Sequence, residues 1–168
     1  MVKTLIKNQH LAMLEHASVS VKVICDRGVS HEIVRHRMAS YAQESTRYCC
    51  YSQDKFNNEL TFIKPCFWHQ EDAHYLTWLK IMLYAEKAYL QLIEHGAKPE
   101  EARSVLPNSF KTEIIMTMNL REWIHFFNLR YVGTTGKPHP QMKQVAGMIL
   151  EEFKKYIPVV FDDFALER

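Results

Sequence analysis

No glycine or proline interrupts residues 71–95, and Leu76, Leu79, Leu83, Leu90 and Ile93 recur there at the three- and four-residue spacing of one helix face. So long an unbroken run predicts a long helix, with Gly96 placed to cap it. Two other segments carry the two-residue period of half-buried strands. Ala17, Val19, Val21 and Val23 alternate with Ser18, Ser20 and Lys22, and Phe110, Thr112, Ile114, Met116 and Met118 alternate with Lys111, Glu113, Ile115 and Thr117.

Shorter signals order the rest. Asp26 and Gly28 end the first strand, after which Val29, Ile33, Val34 and Met38 fall at helical spacing and place the triplet Arg35, His36 and Arg37 near a helix end. Residues 51–70, with Asn57, Asn58 and Pro65, read as irregular chain with one short strand near 60–63. Pro99 opens a short helix with Glu100 and Glu101 in its first turn, and Pro107 closes it. Asn119 is suited to cap a helix over LREWIHFFNLR, in which Arg121, His125 and Asn128 share a face at i, i+4 and i+7. A loop rich in Gly and Pro follows, and a last helix covers 141–156. With no repeat, low-complexity tract or linker, a single domain over 1–168 is expected.

Nearly half of the 168 residues are apolar, enough for a core, and the net charge is only +2. The absence of a global basic excess disfavours a small helical module binding a nucleic-acid polymer, so any anion chemistry must sit in local clusters. Cys25, Cys49, Cys50 and Cys66 lack the CxxC spacing of a zinc site, no metal site is expected, and Cys25 beside Asp26 reads as an inert core thiol. No segment approaches the roughly 18 uninterrupted apolar residues of a membrane span. A reduced, cytoplasmic chain without membrane association is expected.

The stretch RHRMASYAQESTRY at 35–48 concentrates the polar chemistry. Basic residues at a helix C-terminus are favoured by the macrodipole alone, so the triplet is either a solvated cap or a ligand site. Gln43, Glu44, Ser45, Thr46 and Arg47 follow it with hydroxyls, an amide and a guanidinium, the convergent donors that a phosphate takes. Arg121 and His125, one helical turn apart, can touch one ligand together. No Ser, His and Asp arrangement, activated cysteine or glycine-rich phosphate loop accompanies them.

Arg35, His36 and Arg37, followed by seven residues and Ser45, with Arg47 and Tyr48 after it, resemble the signature of the flavin-dependent thymidylate synthases. The resemblance extends to QHLAMLEH at 9–16, EEARSVLP at 100–107 and NLREWIHFFNLR at 119–130. The chain differs in an N-terminal segment shorter than is usual, in Ala12 where a flavin-contacting hydroxyl residue is usual, and in the loop GTTGKPHPQ after Arg130.

The resemblance implies a mixed α and β fold with a central sheet flanked by helices. It also implies a reaction in which reduced FAD mediates transfer of the methylene of methylenetetrahydrofolate to carbon-5 of dUMP, with NADPH as reductant. Arg35, His36, Arg37, Gln43, Asn119, Arg121 and His125 match flavin-contacting positions. Glu32, Arg35, Gln43, Glu44, Ser45, Thr46, Arg47, Arg103 and Arg130 match nucleotide-contacting positions, with Arg130 the catalytic residue that polarises the uracil. A homotetramer with sites shared between subunits is implied as well. The differences at Ala12 and the N-terminus prompt the alternative of a weakened relative that binds nucleotide or flavin without turnover.

Overall fold

The computed structural model describes residues 1–48 and 59–164. Three antiparallel strands, β1 (Ser18–Asp26), β2 (Ala39–Gln43) and β3 (Lys111–Asn119), stand in the order β1-β3-β2, and with the helices they make a mixed α+β fold. The alternation expected of β3 is present: Thr112, Ile114, Met116 and Met118 are all buried. By contrast β2 lies inside the polar stretch at 35–48, where five residues of half-exposed chain carry no apolar alternation. The chain divides into two compact units, Met1–Val23, Glu32–Ala42 and Ile115–Arg168 forming the first and Ile24–His31 and Gln43–Ile114 the second.

The first unit contains α1 (Val2–Lys7), a 3-10 turn (Leu11–His16), α5 (Leu120–Phe127), α6 (Pro140–Tyr156) and α7 (Pro158–Phe161). Helix α5 buries Leu120, Trp123, Phe126 and Phe127 while Arg121 and His125 stay exposed, as the 3.6-residue period demands. Its rings pack on Phe153 of α6 and Phe161 of α7, with Trp123 4.7 Å from Phe153 and Phe127 5.6 Å from Phe161. Each such ring contributes about 1.5–3 kcal/mol by leaving water, so this cluster is the anchor of α5. Two polar ties fix its direction. Trp123 Nε1 donates to the Val19 carbonyl at 3.2 Å, and the Leu120 amide donates to the Ala17 carbonyl at 2.9 Å.

The helix expected to reach Arg130 stays α-helical only to Phe127 and continues as a π-helical turn over Asn128–Val132, in which the Gly133 amide donates to the Asn128 carbonyl at 2.9 Å. Gly133 ends the turn with φ +81°, a conformation that costs glycine little. Tyr131 of this turn is buried against Gly147 of α6, where an added Cβ would stand 3.1 Å from the ring.

The second unit is built on α3 (Ala73–Glu94), the long helix expected over 71–95, with Gly96 at φ +90° beyond it. Tyr89 of α3 packs with Leu60, Ala102 and Phe110 in a buried cluster. Helix α4 (Pro99–Ala102) runs into a 3-10 turn over Arg103–Val105. A single bridge, Phe62 to Phe110, stands where a short strand was expected, and residues 51–58 of that expectation lie outside the described residues. The Cys25 thiol is buried and pushed up to about 12, chiefly by burial and then by Asp26, which fits the reading of an inert core thiol. Cys49 and Cys50 lie outside the described residues.

Candidate functional site

In the first unit the triplet Arg35, His36 and Arg37 occupies the turn between α2 (Arg27–Ile33) and β2. The Tyr41 hydroxyl pins this turn, standing 2.9 Å from the Ile33 carbonyl and 2.6 Å from the His36 carbonyl. Burial pushes that hydroxyl up to about 12, so it stays a donor across the working pH range. The turn thereby sends its side chains in opposite senses. Arg35 and Arg37 are exposed, and among the described residues no hydrogen bond or ion pair engages either guanidinium, while the His36 ring is only 4% exposed.

His36 meets Arg130. The Arg130 guanidinium donates through Nε to His36 Nε2 at 3.1 Å, through Nη1 to Glu32 Oε2 at 2.7 Å and through Nη2 to the Glu32 carbonyl at 3.1 Å. All three nitrogens of the planar fork are thus fixed, which sets both the position and the plane of the charge. On its other side His36 presents Nδ1 to Glu122 Oε1 at 3.5 Å. Burial, then the Arg130 charge, then His125 push the His36 imidazole down to about 4, so the ring is neutral at pH 7.

A cavity of about 710 Å3 opens on this arrangement, lined by residues 34–38 together with Glu122, His125, Leu129 and Arg130. A second, of about 550 Å3, is lined by Asn119, Arg121, His125 and Asn128 of the α5 face and by Glu15 and Met38. The face-sharing read from the sequence is therefore present. Arg121 is paired with Glu15 at 2.5 Å at the surface, and Asn119 Oδ1 accepts the Glu122 amide at 2.9 Å as the cap of α5. His36, Glu122 and His125 bring potential ligand atoms within 4.8 Å of one another. For His36 to ligate through Nδ1, its proton would have to move to Nε2, against the Arg130 Nε–H.

The second unit holds the other expected residues. Gln43 Nε2 donates to Ser30 Oγ at 3.0 Å and to Thr112 Oγ1 at 3.2 Å, tying the end of β2 to its neighbours. Thr46 is buried, and its Oγ1 accepts from Arg103 at 3.4 Å. Ser45 Oγ accepts the Arg47 amide at 3.3 Å, while Arg47 Nε is paired with Glu100 at 2.8 Å. The Glu44 carboxylate stands 3.7 Å from Lys111 Nζ. Thr46, Arg47 and Arg103 are thereby gathered with Glu100 near the start of α4. The expected set is split between the units: Glu32, Arg35, His36, Arg37, Asn119, Arg121, His125 and Arg130 belong to the first, and Gln43, Glu44, Ser45, Thr46, Arg47 and Arg103 to the second.

Sequence reasoning missed Tyr41, Glu122, Glu15 and Glu100 as partners of these residues. Only Glu122 carried a local signal. Its place three residues after the Asn119 cap suits an acid that returns a bond to the cap, yet its carboxylate faces His36.

An α+β fold that sets fixed Arg130 and exposed Arg35 and Arg37 around one cavity offers guanidinium donors to an anionic group, a broad kind of chemistry. Comparison with known proteins narrows it. Residues 1–159 match the family model of the thymidylate synthase complementing protein, and the chain belongs to that family. It is 39% identical over 147 residues to the flavin-dependent thymidylate synthase of Pyrococcus furiosus, covering 87% of this chain and 58% of that protein. It is also 36% identical over 155 residues to the enzyme of that name from Geobacter sulfurreducens, covering 92% and 64%, and 33% identical over 162 residues to that of Sulfolobus acidocaldarius, covering 95% and 58%. The chain thus spans about three fifths of the length of these curated relatives.

Proposed function

We propose that this chain methylates dUMP to dTMP with FAD as its flavin, methylenetetrahydrofolate as carbon donor and NADPH as reductant. The names of the relatives support the reaction class. The observation that carries it to the residues is Arg130, a permanent cation fixed at three nitrogens on the rim of a cavity. Such a charge stabilises negative charge developing on a pyrimidine without having to reorganise when it forms.

The donor set also fits a flavin. Arg35 and Arg37 offer two exposed guanidiniums to a pyrophosphate, and Arg121 and His125 offer one helix face to the rest of the cofactor. When bound, the flavin supplies the hydride chemistry, and the protein supplies position and charge. Ser45, Thr46, Arg47 and Arg103 hold the nucleotide phosphate in this reading, with Gln43 and Glu44 beside them and Glu32 fixing Arg130. Assembly as a homotetramer with shared sites belongs to the same proposal. It is supported by Leu76, Leu79 and Leu83, which α3 leaves exposed at a spacing that suits a subunit contact. A cytoplasmic location is proposed with it; among the described residues no helix is long and apolar enough to cross a membrane.

The test is the visible spectrum of the purified protein with added FAD, followed by dTMP formation from dUMP, methylenetetrahydrofolate and NADPH. Flavin binding and FAD-dependent dTMP are expected. A folded protein that binds no flavin even with dUMP present would refute the proposal.

A further inference from the structure

The arrangement around His36 carries a consequence for α5. A guanidinium Nε–H can only donate, so His36 Nε2, 3.1 Å from it, is an unprotonated acceptor. A neutral imidazole has one proton, which must then sit on Nδ1. That nitrogen faces Glu122 Oε1 at 3.5 Å, and among the described residues no other carboxylate pairs with His36. The His125 ring lies 5.9 Å away, edge to face, and the Phe126 ring 5.0 Å away.

We propose that Glu122 is a positioning residue for Arg130: its carboxylate holds the Nδ1 proton of His36, which keeps the Nε2 lone pair aimed at the Arg130 Nε–H. The proposal rests on the reading of Arg130 above for its effect on catalysis, but not for its geometry. The backbone supports it, because the Asn119 cap fixes the Glu122 amide at 2.9 Å and so sets where the carboxylate begins. Burial supports it too. The Glu122 side chain is 15% exposed and that of His36 3%, so water competes little for the Nδ1 proton. Burial also lowers the His36 pKa, which keeps the imidazole neutral and so with a single ring proton.

Without Glu122, the proton has no fixed place. An imidazole protonated on Nε2 would set two N–H groups against each other across 3.1 Å, and Arg130 would keep only its two contacts to Glu32. The guanidinium would still be bound, but its plane would be free to turn.

Histidine tautomers are read directly by long-range 1H–15N NMR of protein labelled with 15N-histidine, with the His36 signal assigned by its loss in His36→Gln. At pH 7 the full chain is expected to show the Nδ1–H form. Glu122→Gln, whose amide oxygen accepts the same proton, should retain that form, and Glu122→Leu should give averaged shifts for the two ring nitrogens. In steady-state kinetics Glu122→Leu should lower kcat on the order of tenfold, with KM for dUMP nearly unchanged, and Glu122→Gln should restore most of the loss. A merely structural role would move stability without moving the tautomer. An Nε2–H form in the unaltered protein, or a tautomer that Glu122→Leu leaves fixed, overturns the proposal. Should no preparation form dTMP, the proposed function fails, and the NMR result alone decides the role of Glu122.

Discussion

Arg130 and Arg47 are held in opposite ways. Arg130 is 21% exposed and gives all three guanidinium nitrogens to acceptors of its own unit, whereas Arg47 is 56% exposed and gives one bond to the carboxylate of Glu100. Surface pairs of the second kind contribute little and exchange readily with solvent. On the proposed function, the difference separates two tasks. A charge that must meet a transition state is best set in advance, while a charge that must release one anion and accept another is best left loosely paired.

The largest expected effect is acid sensitivity of the first unit. His36 is faced by Arg130, Glu122 and His125, with Glu32 across the guanidinium, and its imidazole is pushed from 6.5 to about 4. Between those values the unfolded chain takes up a proton that the folded ring refuses, so stability rises with pH and is lost as pH falls from about 6.5 towards 4. The loss should reach ~3 kcal/mol. Urea denaturation across this window should show a steeper fall for the unaltered protein than for His36→Gln, and parallel curves would contradict the neutral buried ring.

Gly133→Ala comes next, because its Cβ would stand 2.9 Å from the Gly136 carbonyl and from Pro138 Cδ at a φ of +81°. A loss of roughly 1–3 kcal/mol is expected, and an unchanged denaturation midpoint would show that the turn after Arg130 is looser than described. Asn119→Ala should remove the α5 cap and cost about 1 kcal/mol, with Asn119→Ser recovering most of it. Smallest of all, Glu100→Gln should leave Tm where it is and weaken dUMP binding little or not at all, since it removes a competitor for Arg47 along with a surface pair. A marked drop in Tm would place Arg47 with the fixed charges.

Where local patterns decide structure, the sequence was readable. The unbroken run before Gly96 became α3, the alternation of Thr112, Ile114, Met116 and Met118 became the buried face of β3, and Asn119 caps α5. Partnerships made over distance left no such trace. His36 and Arg130 are 94 residues apart, and nothing in either neighbourhood announces that an imidazole will accept from that guanidinium. The π-helical turn over Asn128–Val132 is equally silent, since its residues differ from those of an ordinary helix in no systematic way. Strand β2 was hidden because ASYAQ is short, polar in part and buried at neither face. The family resemblance supplied the expected residues, and the structure supplied acceptors for three of the arginines: Glu32 and His36 for Arg130, Glu15 for Arg121 and Glu100 for Arg47.

Arg130→Lys separates charge from geometry, because lysine keeps the charge and loses the planar fork that Glu32 and His36 grip. Turnover of dUMP should be measured for the unaltered protein and the variant, both loaded with FAD and matched by circular dichroism and flavin spectrum. A fall of about 10²-fold or more in kcat is expected with the fold and the flavin retained, on the scale of removing one donor to a developing anion. Equal rates would show that Arg130 is an ordinary surface arginine and that its fixed geometry serves stability alone.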